Sequence, residues 1–429
     1  MSAEHETPSG GAALASENAP PPIARLRIGE EMVVGDWRGA DPFEPNFRDD
    51  PYTALNRLRE VDPVNLTPVG PWRISKFADV NQAFRAAKTS QTLSTGEAPN
   101  FDPLDRRGSF LEFMLNQDGD IHHRLRGLVQ KAFRPRTVRR MEQAVEEAVD
   151  HALEAALRDG GMEVIEAMAR YVPSSMICRI MGVPDEDRPK FIAWTAARTN
   201  AFFARFLPEE VRAVTRAAAE EMADYFDDMV RARRKDPQDD LVSELIAAEV
   251  EGQRLTDEEI TVQSIGVITA GFETTIGLIG NGVRAFVEHP AQMAALRENP
   301  KLIGKAVNEC LRFDTPVLFN WRVLEEPFVF SGRELPADSV LWLMLGSANR
   351  DPEQFADPDV FDIERRDPGL VSFGGGPHIC LGNHLAKMEA THAFRALAQR
   401  TAGIEIRAEP VEWSPSFFRV MDAYRISFH

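Results

Sequence analysis

Apolar positions recur every three to four residues over Tyr52–Val61, Phe77–Ala87, His122–Phe133, Arg136–Asp159, Leu207–Lys235 and Pro300–Phe313, which predicts a helix in each. Short β-branched and aromatic runs bounded by turn residues predict strands at Val64–Ser75, Phe328–Phe330 and Ser339–Leu345, the last two separated by SGRELPAD. Helix dominates, with a small sheet at the edge. One predicted helix, from about Asp257 to His289, is exceptional. Thr256 and Glu259 form a capping box at its start, and Pro290 follows its end. About thirty residues at 1.5 Å rise make a rod of ~50 Å, long enough to cross a domain. Its middle, VITAGFETTIGLIG, is almost wholly apolar around Glu273, Thr274 and Thr275, so it must be buried on nearly all sides.

The 429 residues carry a net charge of −18, which argues against nucleic acid or an anionic membrane as main partner. Three cysteines far apart in sequence make no disulfide framework and fit a reducing, cytoplasmic setting. The N-terminus has neither the basic nor the apolar region of a signal peptide, and no apolar run approaches the ~20 residues of a membrane span. Residues 1–22, rich in Ala, Ser, Glu, Pro and Gly, read as a disordered tail. No linker or repeat follows, so 23–429 reads as one domain.

Chemistry concentrates in FGGGPHICLG, Phe373 to Gly382. Three successive glycines permit a tight turn and close approach to a flat partner, and Cys380 then precedes an apolar helical run. Backbone N–H groups at a helix start favour a thiolate there, the form needed for an axial sulfur ligand to haem iron. A buried structural cysteine would not require three glycines beside it. Within the long helix, Ala270-Gly271-Phe272-Glu273-Thr274-Thr275 combines small residues, a carboxylate and hydroxyls. Gly271 costs the helix about 1 kcal/mol relative to Ala. A Thr hydroxyl competing for a carbonyl can open the ladder there, and the Glu offers a proton relay. Glu309 and Arg312 stand at i,i+3, a spacing that by itself is a common surface ion pair. Residues 121–140 hold seven Arg and Lys and no acid, a local inversion in an acidic chain that reads either as a solvated basic face or as a surface for an anionic cofactor on one side and an acidic partner on the other.

Together FGGGPHICLG, AGFETT, the ECLR pair and ANRDPEQFADPDVFDIERR at 348–366 resemble a bacterial class I cytochrome P450, over nearly the whole chain after the tail. The resemblance implies a mainly α cytochrome P450 fold: a helical triangular prism with a small β region and a long central helix over the haem. It implies haem b with Cys380 as axial ligand. His122 (preferred to His123 by its spacing to Arg126), Arg126, Arg322 and His378 would bind the propionates, and Ala270, Gly271, Phe373 and Gly374 would adjoin the cofactor. Glu273 and Thr274 would deliver protons, while Glu309 and Arg312 would be buried and joined by Arg366 or a neighbour. The implied substrate pocket draws on Phe113, Phe203, Ile268, Val317, Leu318, Phe319 and Val420, with Phe110, Met114, Phe202, Phe206 and Phe272 as further candidates. Such a lining favours a hydrophobic small molecule.

The reaction implied is O2-dependent hydroxylation or epoxidation. A biosynthetic enzyme acting on phenolic or carrier-bound substrates is not excluded. A peroxygenase would lack the Glu–Thr pair, and a haem sensor would not need it. About 50 residues follow Cys380, too few for a fused redox domain, so electrons are expected from a separate ferredoxin and its NAD(P)H-dependent reductase, with the chain itself a monomer. Arg124, Lys131, Arg134 and Arg136 are the cations expected to face that donor.

Overall fold

The computed structural model describes residues 37–42, 45–99, 110–133, 141–249, 252–366, 369–414, 416 and 418–429. The expected tail at 1–22, together with Arg134 and Arg136, lies outside these residues, as do the side chains of Phe110, Lys131, Phe203 and Phe206.

The long helix runs from Asp257 to Glu288. Its capping box is reciprocal: the Glu259 N–H donates to Thr256 Oγ1 at 3.1 Å, and the Thr256 N–H donates to Glu259 Oε2 at 2.9 Å. Among the described residues it is the one helix long and apolar enough to cross a membrane, yet 83% of its apolar window is buried inside the protein. Helices Glu209–Lys235, Tyr171–Met181 and Asn383–Arg400 pack around it, as does a π-helical turn at Ile165–Arg170. Its glycines admit neighbours that a side chain would exclude. A Cβ on Gly266 would lie 2.1 Å from the Phe113 ring, and one on Gly282 would lie 2.2 Å from Phe394.

The periodic segments fold as helices Pro51–Val61, Phe77–Arg85, Gly119–Ala132, Glu142–Asp159, Glu209–Lys235 and Ile303–Phe313. Leu207 is extended rather than helical, as expected of a residue before proline. The Val64–Ser75 segment divides into strands Val64–Leu66 and Trp72–Ile74, which form a hairpin. They continue a five-stranded sheet through Val340–Leu343 and Asn320–Leu324 to Thr89–Ser90, with the Trp72–Ile74 and Val340–Leu343 contact parallel and the others antiparallel. Asn320–Leu324 and helix Tyr171–Met181 were not predicted by pattern. Both are buried on more than one face, which erases the apolar–polar period.

Two buried ionic clusters fix helix Ile303–Phe313 beneath the long helix. Arg312 meets Glu309 through Nε–Oε2 at 2.7 Å and Nη2–Oε1 at 2.8 Å, both side chains being nearly inaccessible. The remaining Arg312 N–H groups donate to the carbonyls of Asn349, Pro358 and Val360. Glu309 also accepts from the Asp362 N–H and from Arg365 Nε, so Arg365 rather than Arg366 completes the cluster. Just beyond the helix, buried Asp314 accepts from Tyr52 Oη at 2.9 Å and Arg284 Nη2 at 2.8 Å, and pairs with Arg419. These opposing charges hold its carboxyl below the usual range in spite of burial.

Substituting Glu309→Gln leaves Arg312 charged and buried without its counter-ion, which should cost roughly 3–5 kcal/mol of unfolding free energy in urea titrations. A loss within the scatter of ordinary surface substitutions, about 0.5 kcal/mol, would contradict the role assigned to the pair.

Candidate active site

The Glu309–Arg312 cluster leads by hydrogen bonds to the cysteine loop. Asn349, whose carbonyl accepts from Arg312, accepts at Oδ1 from the Val371 N–H (3.0 Å) and donates to Ser372 Oγ (2.8 Å). Phe373 then turns its carbonyl to the Cys380 N–H at 3.0 Å, closing the loop on itself. Gly374 and Gly376 have φ of +69° and +66°. Gly376 is constrained twice, because a Cβ there would stand 2.3 Å from the Phe84 carbonyl oxygen. The tight approach inferred for the glycines is thus, at Gly376, an approach to helix Phe77–Arg85.

Helix Asn383–Arg400 begins three residues after Cys380, and the Asn383 amide donates back to the Cys380 carbonyl at 2.6 Å. The N–H groups of Gly382 and Asn383 favour the thiolate, as read from the sequence, and the Arg126 guanidinium adds to them. Burial nevertheless outweighs them and pushes the thiol up. A cation bound at the sulfur would oppose that rise.

The anion-binding candidates gather beside it. His122 is buried whereas His123 is exposed, so the preferred histidine is the inward one. The His122 and His378 rings lie 4.0 Å apart, and burial pushes the His122 pKa down to about 4. His122 Nε2 and His378 Nδ1 are both buried without a hydrogen-bond partner. Arg126 Nη2 donates to the Ile379 carbonyl at 2.6 Å. Arg322 lies one layer deeper, with its guanidinium 5.1 Å from the Phe84 ring and its pKa lowered by burial to about 10.

Asp118 was not read from the sequence. It occupies the residue before helix Gly119–Ala132 but does not cap it; its carboxylate meets His378 Nε2 at 3.2 Å and accepts the Gln91 N–H at 2.6 Å. An aspartate before a helix reads as an ordinary cap, and only the fold shows the alternative partners.

Between the cysteine loop and the long helix lies a cavity of about 230 Å³. Its wall includes Cys380, His122, His378, Arg126, Phe373 and Gly374 on one side, and Ala270, Gly271 and Thr274 on the other. Unpaired buried nitrogens suited to anionic groups and a thiol within reach of the same space fit haem.

Residues 87–400 match the Cytochrome P450 family. The chain belongs to that family. Polyketide biosynthesis cytochrome P450 PksS of Bacillus subtilis (strain 168) is 31% identical over 394 residues, covering 88% of this chain and 95% of that protein. Among solved structures, P450BioI in complex with an acyl carrier protein ligated to hexadec-9Z-enoic acid has a TM-score of 0.82 at 32% identity, covering 90% of this chain and 99% of that one. Myxobacterial cytochrome P450 CYP267B1, in complex with myristic acid, also has a TM-score of 0.82 at 32% identity, over 90% and 98% of the two chains. The protein is a haem-dependent monooxygenase of mainly α, P450 fold.

Within this P450 the long helix stays continuous through the acid–alcohol pair. Thr274 Oγ1 donates to the Ala270 carbonyl at 3.2 Å without breaking the ladder, so the local opening suggested by the sequence is absent. Gly271 instead admits Ile177, whose Cδ1 would be 3.0 Å from a Cβ there. Val267, Gly271, Thr274 and Leu278 share the cavity face, while Ile268 and Phe272 are fully buried elsewhere. Phe113, Met114, Phe202, Val317 and Phe319 line the cavity; Leu318 and Val420 line a neighbouring one. Arg124, expected to face an electron donor, is half-buried and ion-paired with Glu259 of the capping box.

Glu273 does not line the cavity. It is 8% exposed, and burial raises its pKa to about 7, with Arg170 opposing the rise and Asp422 adding to it. Its folded value lies above the unfolded 4.5, so stability falls as pH rises from 4.5 and levels off above 7. In unfolding titrations Glu273→Gln should therefore match wild type at pH 4.5 and exceed it by about 3 kcal/mol above pH 7. A pH-independent difference would contradict the assignment.

Proposed function

We propose that this P450 binds haem b and uses O2 and two electrons to hydroxylate or epoxidise a hydrophobic small organic molecule. One observation carries the reading: Cys380 and Thr274 face a single cavity whose remaining wall is dominated by apolar side chains such as Phe113, Val317 and Phe319. Cys380 would ligate the haem iron, with His122, Arg126 and His378 offering donors to the propionates and Arg322 adding charge from behind. Ala270, Gly271, Phe373 and Gly374 would line the haem, which when bound supplies the dioxygen-cleaving chemistry.

The protein's own residues govern protons and water. Thr274 holds its hydroxyl proton at the cavity surface, now donated to the Ala270 carbonyl and able to rotate toward the cavity. Glu273, poised near neutrality on the other flank of the helix, is suited to exchange protons with solvent and replenish that site. The aromatic and aliphatic lining excludes bulk water and holds the substrate by shape rather than by many polar contacts.

Electrons come from a ferredoxin fed by an NAD(P)H-dependent reductase. The docking face would include Ile379 (43% exposed) of the cysteine loop and the helix that carries Arg126, on which Ile121 (54% exposed) and His123 are exposed. Arg124 is ion-paired with Glu259, and Lys131, Arg134 and Arg136 remain the cations proposed to meet the donor. A second reading, a carrier-tethered acyl substrate, is favoured by the resemblance to PksS and to P450BioI in its acyl-carrier complex.

Thr274→Ala is the direct test. Haem content and substrate-induced spectral shift should persist while product formed per NAD(P)H consumed falls by roughly tenfold or more, with peroxide released in its place. Equal coupling in variant and wild type would remove Thr274 from the proton path.

A further inference from the structure

Gln263, wholly buried on the long helix, is not among the described residues that line the cavity. Both ends of its amide are spent on the backbone of the segment that precedes helix Gly119–Ala132. Oε1 accepts the Met114 N–H at 3.1 Å, and Nε2 donates to the Glu112 carbonyl at 3.1 Å. The main chain is thus held on either side of Phe113. One turn on, at i+3 and on the same helix face, stands Gly266. Glycine weakens a helix interior relative to alanine, so its presence here calls for a packing reason. The Phe113 ring supplies one: a Cβ at Gly266 would overlap ring atoms Cγ, Cδ2 and Cε2. Phe113 also lines the cavity of Cys380 and Thr274, whereas Gly266, behind it, does not.

We propose that Gln263 and Gly266 are positioning residues that set substrate specificity through Phe113. Together they fix how far its ring stands off the long helix, and so the width of substrate that fits beside Thr274. Gln263 is the latch on the backbone, and Gly266 is the notch that receives the ring. With the notch filled, the ring would have to withdraw by more than about 1 Å to regain ordinary carbon–carbon contact. The bonds at Glu112 and Met114 hold the main chain against the helix, so the side chain alone must move, and it swings into the cavity. Selection is then by cross-section: a cage or fused ring of carbons is excluded before a thin chain of equal carbon count. This rests on the cavity being the substrate site proposed above.

The test uses the haem-loaded enzyme and two alcohols of equal carbon count, linear n-decanol and the cage adamantanol. Affinity is measured by calorimetry and by the substrate-induced spectral shift. Gly266→Ala puts a better helix former on the long helix, so the variant should fold. It should lower the affinity for adamantanol relative to n-decanol by about tenfold or more. Phe113→Leu removes the ring that the added methyl meets, so in that background Gly266→Ala should change the ratio by less than about twofold. Adding Gln263→Leu to Gly266→Ala should recover much of the lost adamantanol affinity, because the released segment can carry the ring back from the cavity. A ratio that Gly266→Ala leaves unchanged, or lowers equally with and without Phe113→Leu, would overturn the proposal. Urea titrations of the same proteins give a ligand-free reading, in which Gly266→Ala should destabilise the Phe113→Leu background less than wild type. A wild type that binds neither alcohol would count against the cavity as the substrate site. The urea cycle would then decide the contact on its own, and equal destabilisation in both backgrounds would overturn it.

Discussion

The buried pairing of Glu309 with Arg312 is the constraint on which the rest of the site hangs. An arginine so deeply placed is tolerable only with its carboxylate and a full set of carbonyl acceptors, and those acceptors come from Asn349, Pro358 and Val360. Satisfying Arg312 therefore folds the segment that precedes the cysteine loop. Asn349 then anchors Val371 and Ser372, and the Phe373 carbonyl receives the Cys380 N–H. The sulfur's position is the end of a chain of satisfied hydrogen bonds that begins at a buried ion pair. Arg365 reinforces that beginning from the same segment.

Against this satisfied scaffold, the functional groups are conspicuously uncompensated. Cys380 is pushed toward the neutral thiol and Glu273 toward the neutral acid, while two histidine nitrogens beside the cavity lack partners. Local rules broken in one place and obeyed elsewhere are what a binding site imposes. An iron cation would stabilise the thiolate and propionates would accept from the nitrogens. The unmet demands of the protein thus describe the cofactor's charge distribution.

Much of this was legible in the residues because it depends on local chemistry. The glycine turn with its cysteine, the capping box at Thr256 and the small residues around Thr274 each declare themselves within ten residues. Which way a side chain faces was less legible. On the long helix Val267, Ala270, Gly271, Thr274, Thr275 and Leu278 face the cavity, while Ile268 and Glu273 turn away. Such a phase cannot be read from a segment that is apolar all round. Long-range partners were hidden for a different reason. Asp118 carried no reading, Arg124 read as an outward-facing cation, and Arg365 was indistinguishable from Arg366 until the fold supplied His378, Glu259 and Glu309.

The central claim is that Cys380 ligates haem iron while a separate set of residues retains the cofactor. Carbon monoxide difference spectra of the reduced protein test it most directly, in wild type and in Cys380→Ser. Wild type should show the strongly red-shifted Soret band of a thiolate-ligated carbonyl haem. The serine variant should lose that band while keeping bound haem through His122, Arg126, Arg322 and His378. A red-shifted band that survives the substitution, or a wild type that never shows one, would contradict the assignment.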